Sequence, residues 1–555
     1  MNSAKIIEVK KLLVKKNFEE VTLFIENTFT DIEKSSEILN ILGYSKLQKK
    51  TFNDLDLLSA IENFRDCYLK EKNTKQGIEG LANFIVCSNK IHQYKDSIKY
   101  FNEAEKLFGY IPKLFSLMAK VYEYLNDLES AIYYLKKIIE KEGIQNSNLH
   151  LQKYIFLNNY INNWSQKDFL ENTKKLEQAF PQYSKKISIN ITRNKKIKLA
   201  FLSSDIKDNH PITSFLKTVV ANVNKDKFEL ILFSNCKINK EDKTTQNFKI
   251  YFDKWININD LNDEEATSLI RKNNIDIIID LMGLSSSNRI GLFKNKLATT
   301  QILWLGYNNT SGINQMDYLI ADPNLIKKNE DKFYSEKILF LPSIWSCHSG
   351  FEILRKKTPS PLIKNKHITF GSFNNINKIS NEVVDVWSKI LKKNNNSKLI
   401  LKSSMSFSNE ILKKKFKQNK VLDSITFMDK KNKMEDHLED YKKIDIALDP
   451  FPCNGVTTSF EAIWMGVPLL TLKGFNPISR AGVSINKNIN MDYFIANNQN
   501  EYVSKTIELS NNFKKIIDAR NYLFDNALGS NLFNTQKFSK EFFETLENIN
   551  FNNAS

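Results

Sequence analysis

The residues best suited to chemistry cluster in 449–474, DPFPCNGVTTSFEAIWMGVPLLTLKG. Asn454 and Gly455 lie in a loop broken by Pro450 and Pro452, and Thr457 and Thr458 follow where a helix N-cap belongs. A helix start offers unsatisfied backbone N–H groups and about half a positive charge, which suits a phosphate. A βα turn of any α/β protein can carry the same Gly-plus-Thr pattern, so this stretch alone leaves both readings open. The cations that could meet the same anion are Lys378, after FGSFNN, Lys402, at a strand end, and Arg480. A lysine there neutralises a diphosphate as a point charge. Lysine is common throughout this chain, and Lys378 gains weight from its loop, which is expected to face the Thr457–Thr458 helix mouth. His210, in KDNHP, follows the first strand of the α/β part. It has two chemical roles open, general base or hydrogen-bond donor to substrate, and one structural role, capping the next helix. A lone histidine on a helix is more often structural than a ligand, so His92 and His150 are given no role.

These side chains need strands and helices to hold them. The apolar run 444–448 (IDIAL) reads as a buried strand, Phe460, Ile463 and Trp464 as a helical stripe, and 467–472 as the next strand. The order is strand, loop, helix, strand. The same alternation starts at Lys196. Strands are expected at 197–203, 228–233, 275–282, 301–307, 318–321 and 338–341, with helices at 212–223 and 264–272. A Pro/Ser/Lys linker at 356–366 leads into a second series, with strands at 367–373, 399–402 and 425–428 and helices at 382–393, 410–418 and 433–443. Two Rossmann-like lobes, 196–355 and 366–545, then face each other across a cleft lined by their carboxyl-edge loops, where open α/β sheets bind ligands. No GxGxxG is present, which disfavours a dinucleotide.

Residues 1–195 read as helical throughout. Phe84, Ser97, Phe101 and Ala104 are echoed by Met118, Ala131, Leu135 and Ile138 at one constant offset, about 34 residues, the length of a tetratricopeptide unit. That period, with small residues where helices approach and large ones between them, fits tetratricopeptide-like pairs; a plain helical bundle is the alternative. Such an array binds extended peptide or a partner protein on its concave face. The net charge of +17, from 80 Lys and Arg against 63 Asp and Glu, is interleaved as solvated surface, and no nucleic-acid module is visible. Five cysteines without CxxC spacing argue against a disulfide framework or a zinc site. No signal-peptide pattern and no membrane-length apolar run is present, so a cytoplasmic protein without a membrane span is expected.

Four motifs, in order, resemble the protein O-linked N-acetylglucosamine transferases and their SPINDLY-type relatives. They are SSDIKDNHPITSF (203–215), ILWLGYNNTSGINQMDYLIAD (302–322), FGSFNNINKI (370–379) and LDPFPCNGVTTSFEAIWMGVPLLTL (448–472). The resemblance covers about 197–545, and more loosely 75–145. It implies an all-α tetratricopeptide-like region followed by an α/β GT-B fold. It also implies an inverting, metal-independent transfer of a sugar to protein Ser or Thr hydroxyls. No cofactor is implied; the nucleotide-sugar, UDP-GlcNAc or GDP-fucose, is a substrate, and a protein acceptor is recruited by the helical arm. Lys378 matches the lysine on the donor diphosphate, Asn375 a donor contact, Thr457 and Thr458 the phosphate-holding threonines, His437 the histidine near the base and His210 the histidine at the sugar. Lys402, Asn454, Gly455 and Glu461 complete the expected donor site, with Lys378 and His210 as its catalytic pair. Val456, Met434, Asp440, Leu284 and Asn308 depart from the O-GlcNAc branch, whereas FGSFNN and Glu461 look like the SPINDLY branch. GlcNAc is the expected sugar. Fucose transfer, or a scaffold that has lost activity, are the alternatives, and a glycan or lipid acceptor is a weaker one.

Overall fold

The computed structural model describes residues 2–183, 196–208, 210–394, 396–403 and 406–549. Asn209, in the loop that carries His210, and the 184–195 end of the expected helical region lie outside the described residues. The chain forms two compact units, Met1–Lys141 and Glu142–Ser555.

Among the described residues the first unit is all helix. Every position of the sequence echo is buried, from Phe84 to Ile138. The helices Tyr94–Phe108 and Leu128–Asn146 start one such period apart. Ala104 and Ala131 are fully buried in them, as close helix contact requires. The second of these helices breaks at Gly143, where φ is +76°, a backbone conformation that glycine adopts without cost. The break falls beside the boundary between the units.

The second unit starts with two more helices, Asn148–Asn158 and Gln166–Gln178, packed on the first sheet lobe. Gln166 Nε2 donates to Asn309 Oδ1 at 2.7 Å, and a Cβ on Gly312 would lie 2.2 Å from the Thr173 carbonyl carbon. The change of hydrophobic period at Lys196 therefore marks where strands begin, whereas the compact body begins earlier, at Glu142. Periodicity reports the element, not the body that the element packs against.

The first lobe is a parallel sheet of β1 (Ile197–Ser203), β2 (Phe228–Ser234), β3 (Lys254–Asn257), β4 (Ile277–Asp280), β5 (Thr300–Leu303), β6 (Tyr318–Ala321) and β7 (Lys337–Phe340), in the order β3-β2-β1-β4-β5-β6-β7. The second lobe has β8 (Thr369–Ser372), β9 (Lys398–Ser403), β10 (Ile425–Asp429), β11 (Ile446–Leu448), β12 (Leu469–Leu472) and β13 (Ile495–Ala496), in the order β10-β9-β8-β11-β12-β13. Continuous apolar runs such as Leu199–Leu202, fully buried, make these strands interior ones. In each sheet the strand order reverses once, between β1 and β4 and between β8 and β11, and that switch point opens a crevice at the carboxyl ends. This is the two-lobed GT-B architecture. The chain finally crosses back, so that the helix Thr535–Glu547 packs on the first lobe with Phe542 4.8 Å from Trp304 and Phe543 4.7 Å from Phe228.

Candidate functional site

All four switch-point loops reach one cavity of about 440 Å³. The loop after β1 brings His210, that after β4 Leu281, that after β8 Lys378, and that after β11 Asn454 and Thr457. The volume falls within the ~300–1,000 Å³ usual for ligand pockets. Lys378 and Thr457 therefore line the same space, from one lobe, opposite His210 from the other.

The helix mouth is built around Gly455. Its N–H donates to Asp449 Oδ1 at 2.7 Å, and Asp449 also accepts from Thr471 Oγ1 at 2.7 Å. Burial pushes the Asp449 carboxyl up to about 7 against these donors. A Cβ on Gly455 would come within 2.5 Å of Thr458 Oγ1 and 2.8 Å of Asn374 Oδ1. That crowding leaves room only for glycine and lets Thr458 Oγ1 donate to Asn374 Oδ1 at 2.9 Å. Ser459 and Phe460 N–H both donate to the Val456 carbonyl at 3.0 Å, closing the first turn of the helix Thr457–Trp464. The amides of Thr457 and Thr458 precede that turn, so helix geometry leaves them for a ligand. Lys378 Nζ donates to the Asn454 carbonyl at 2.6 Å, which parks the ammonium beside the same turn. Asn454 Nδ2 bonds the Pro450 carbonyl at 2.9 Å, so its side chain shapes the loop.

His210 caps the start of the helix Pro211–Val220 by position, without a side-chain cap bond. Its Nδ1 is buried and has no recorded partner. Nε2 lies 3.8 Å from Asp205 Oδ1, which also pairs with Lys207 Nζ at 3.2 Å. Burial lowers the imidazole below its ordinary range, with Asp205 opposing, so the ring is neutral at pH 7 and able to accept a proton. Asp205 and Lys207 also line the cavity.

Three expected residues, Lys402, His437 and Glu461, form a support behind the cavity. Lys402, with a side chain 3 % exposed, places Nζ 2.8 Å from Asp440 Oδ2 and 2.7 Å from His437 Nδ1. An ammonium can only donate, so Nδ1 accepts and the histidine proton sits on Nε2, 2.9 Å from Glu461 Oε2. Tyr441 OH completes the chain, 2.8 Å from Glu461 Oε2 and 3.1 Å from the Thr458 carbonyl. Burial alone would raise Glu461, but the His437 and Tyr441 bonds hold it below the usual carboxylate range. Burial lowers the Lys402 ammonium, with Asp440 opposing. Both ring nitrogens of His437 are occupied by these partners. The network runs from β9 to the helix mouth and fixes Thr458 from behind.

The cavity lining thus gathers His210, Lys378, Asn454 and Thr457 and leaves Gly455, Thr458, Lys402, His437 and Glu461 behind it. Asn375 stands apart. It is exposed, and its side chain accepts from Asn377 N at 3.0 Å, capping its own turn, while the neighbouring Asn374 is buried against Thr458. Arg480 is engaged elsewhere, paired with Glu330 at 2.5 and 2.9 Å across the two lobes. Sequence reasoning also missed Phe156, Asn159 and Tyr160, which enter the cavity from the helix Asn148–Asn158 and its exit turn. Phe156 stacks on Tyr307, and Asn159 Oδ1 accepts from Asn309 Nδ2 at 3.1 Å. Buried His348 was missed too; it packs against Phe215 and Phe460, and so joins the His210 helix to the Thr457 helix. Among the described residues no His, Cys, Asp or Glu cluster could hold a metal ion, and no helix is long and apolar enough to cross a membrane.

The sequence model of glycosyl transferase family 41 matches residues 159–358 and 354–542, more than half the chain. A protein of Solanum lycopersicum described as a probable UDP-N-acetylglucosamine–peptide N-acetylglucosaminyltransferase SPINDLY is 27% identical over 404 residues, which are 70% of this chain and 43% of that protein. The similarly described protein of Oryza sativa subsp. japonica is 29% identical over 349 residues, 61% of this chain and 37% of the relative. The chain therefore spans less than half the length of these relatives. Among solved structures, a mutant of the Thermobaculum terrenum O-GlcNAc transferase matches with a TM-score of 0.79 and 20% identity, over 95% of this chain and 99% of that one. At that identity the likeness speaks for the fold.

Proposed function

Because the chain belongs to glycosyl transferase family 41, we propose that it transfers a sugar, GlcNAc, from a nucleoside diphosphate donor to Ser or Thr hydroxyls of proteins, with inversion. The observation that supports this most is the single cavity that joins Lys378 and Thr457 to His210. In this reading the diphosphate lies on the amides of Thr457 and Thr458, and Lys378 turns from the Asn454 carbonyl to meet it. Both stabilise charge that builds on the leaving group, where preorganised donors help most. The acceptor oxygen attacks the anomeric carbon, the bond to the diphosphate breaks, and the hydroxyl proton passes to His210 Nε2, the ring nitrogen free of a buried wall. The donor is a substrate, and the reading requires no cofactor. The helical unit, with its repeated helix pairs, holds the acceptor protein. Five free, buried cysteines fit a reducing compartment such as the cytoplasm.

A panel of UDP-GlcNAc, UDP-glucose and GDP-fucose tests the reading, with nucleotide release followed by mass spectrometry. UDP released from UDP-GlcNAc is expected. GDP released from GDP-fucose would move the donor to the alternative that FGSFNN and Glu461 favour. A ligand at about 100 times its Kd adds about 2.7 kcal/mol of stability; no release and no thermal shift with any donor would leave the scaffold reading.

A further inference from the structure

The positive charge of this chain is unevenly placed. Residues 356–443 hold 20 lysines and no arginine against nine acidic residues, so 11 of the 17 net charges fall in this one stretch. Six of these lysines flank β10, the edge strand of the second lobe. Lys414 and Lys417 lie on the helix Ser406–Gln418 and Lys420 just after it; Lys430, Lys431 and Lys433 follow the strand. All six are exposed, and among the described residues none has an acidic partner. The helix stands against the strand, since Lys413 Nζ lies 5.7 Å over the Phe427 ring. Among the described strands β10 pairs only with β9, so one row of its backbone N–H and C=O groups is unpaired.

We propose that this edge is a docking strip for an extended, acidic protein segment, which adds to β10 by main-chain hydrogen bonds while its carboxylates meet the flanking lysines. Edge lysines ordinarily repel a second strand. They do so for another copy of this basic chain, but an acidic strand meets attraction at both ends of β10. Other polyanions fit less well. Among the described residues of 381–443 no large apolar side chain is exposed, so a membrane finds no anchor and nucleic-acid bases find no stacking platform. Arginine, whose fork suits phosphate, is absent from the strip. The strip is separate from the sugar-transfer reading and stands or falls without it.

The test is the fluorescence anisotropy of labelled poly-glutamate with the full chain, which needs no turnover. Binding that weakens steeply with salt is expected. Combined Lys414→Glu, Lys417→Glu and Lys420→Glu, and separately combined Lys430→Glu, Lys431→Glu and Lys433→Glu, should each weaken it roughly tenfold, the sum of three exposed charge contacts. The matching Lys→Gln sets, with unchanged melting temperatures, separate charge from folding. Hydrogen exchange at 425–429 should slow when poly-glutamate is bound. Equal binding by the variants, unaltered exchange on β10, or tighter binding to phosphatidylserine vesicles or to oligouridylate would each overturn the proposal.

Discussion

Lys378→Met separates the catalytic reading from a structural one. In the resting structure the ammonium makes one recorded hydrogen bond, 2.6 Å to the Asn454 carbonyl. A bond from a charged donor contributes about 1.5–3 kcal/mol, so the variant should fold with a modest loss of stability. The effect on turnover should be larger. Two unit charges about 4 Å apart interact by about 4 kcal/mol at an effective dielectric constant of about 20, as at a half-buried site. Each 1.36 kcal/mol is tenfold in rate, so the expected loss is about 10²–10³, in line with removing one charge-stabilising donor. The charge on the leaving oxygen is greater in the transition state than in the bound donor, so kcat should carry most of the loss and KM little. Initial rates of nucleotide release over a range of donor concentrations, beside urea unfolding curves, give both quantities. Turnover within about threefold of the parent, with the donor still bound, would refute the assignment of Lys378.

Gly455→Ala should weaken nucleotide binding by at least about tenfold and cost about 1–3 kcal/mol of stability, because its Cβ meets Thr458 Oγ1, Asn374 Oδ1 and Ser459 Oγ all within 3 Å; isothermal titration and urea midpoints read the two effects. His348 is pushed down from 6.5 to about 4 by burial. The unfolded chain takes up its proton first as pH falls, so the folded state loses about 2 kcal/mol from this group between pH 7 and pH 5. His348→Phe should abolish that part of the acid sensitivity in paired urea titrations. Burial raises Asp280 and Asp449 to about 7, which has the opposite sign: their contribution falls as pH rises from about 4 to about 7, so the two single Asn variants should flatten the loss on the alkaline side. Lys402→Met removes one partner of a buried pair while Lys443 still holds Asp440 at 2.7 Å, so a cost near the low end of about 3–5 kcal/mol is expected in thermal unfolding.

The inner strands were legible because they are buried on two faces and so read as unbroken apolar runs; Ile277–Ile279 is fully buried. The exceptions are β3, whose segment KWIN is half-exposed at a sheet edge and carries no such run, and β13, which at two residues is too short to show one. The place of Lys378, His210 and Thr457 on the cavity was legible for a related reason. A carboxyl-end loop at a switch point must face the crevice, whatever else the lobe does. The residues that lie outside the cavity lining, or that line it unannounced, depart from that rule in identifiable ways. Asn374 and Asn375 are adjacent and alike, and only the turn that Asn375 caps decides which of them reaches Thr458. Phe156, Asn159 and Tyr160 come from a helix and its exit turn well ahead of the first strand, and no local pattern says which body a helix joins.

Lys402, His437 and Glu461 show a further limit with a physical cause. The family resemblance implies that they belong to the donor site, yet Lys402 Nζ, both His437 ring nitrogens and Glu461 Oε2 are all engaged by neighbours. Lys402 fixes the tautomer of His437, His437 holds Glu461 ionised, and Tyr441 ties Glu461 to the carbonyl of Thr458. Such a chain carries orientation rather than binding. It sets the angle at which the first turn of the helix Thr457–Trp464 meets the cavity. Motif matching cannot separate the two roles, because a ligand contact and a buried support are equally polar and equally close to the site. Burial separates them. Lys378 is half-buried and opens on the cavity, whereas the Lys402 side chain is 3 % exposed and closed in by Asp440. The same amino acid, on neighbouring strands' ends in one lobe, therefore faces the cavity in one place and braces the lobe in the other.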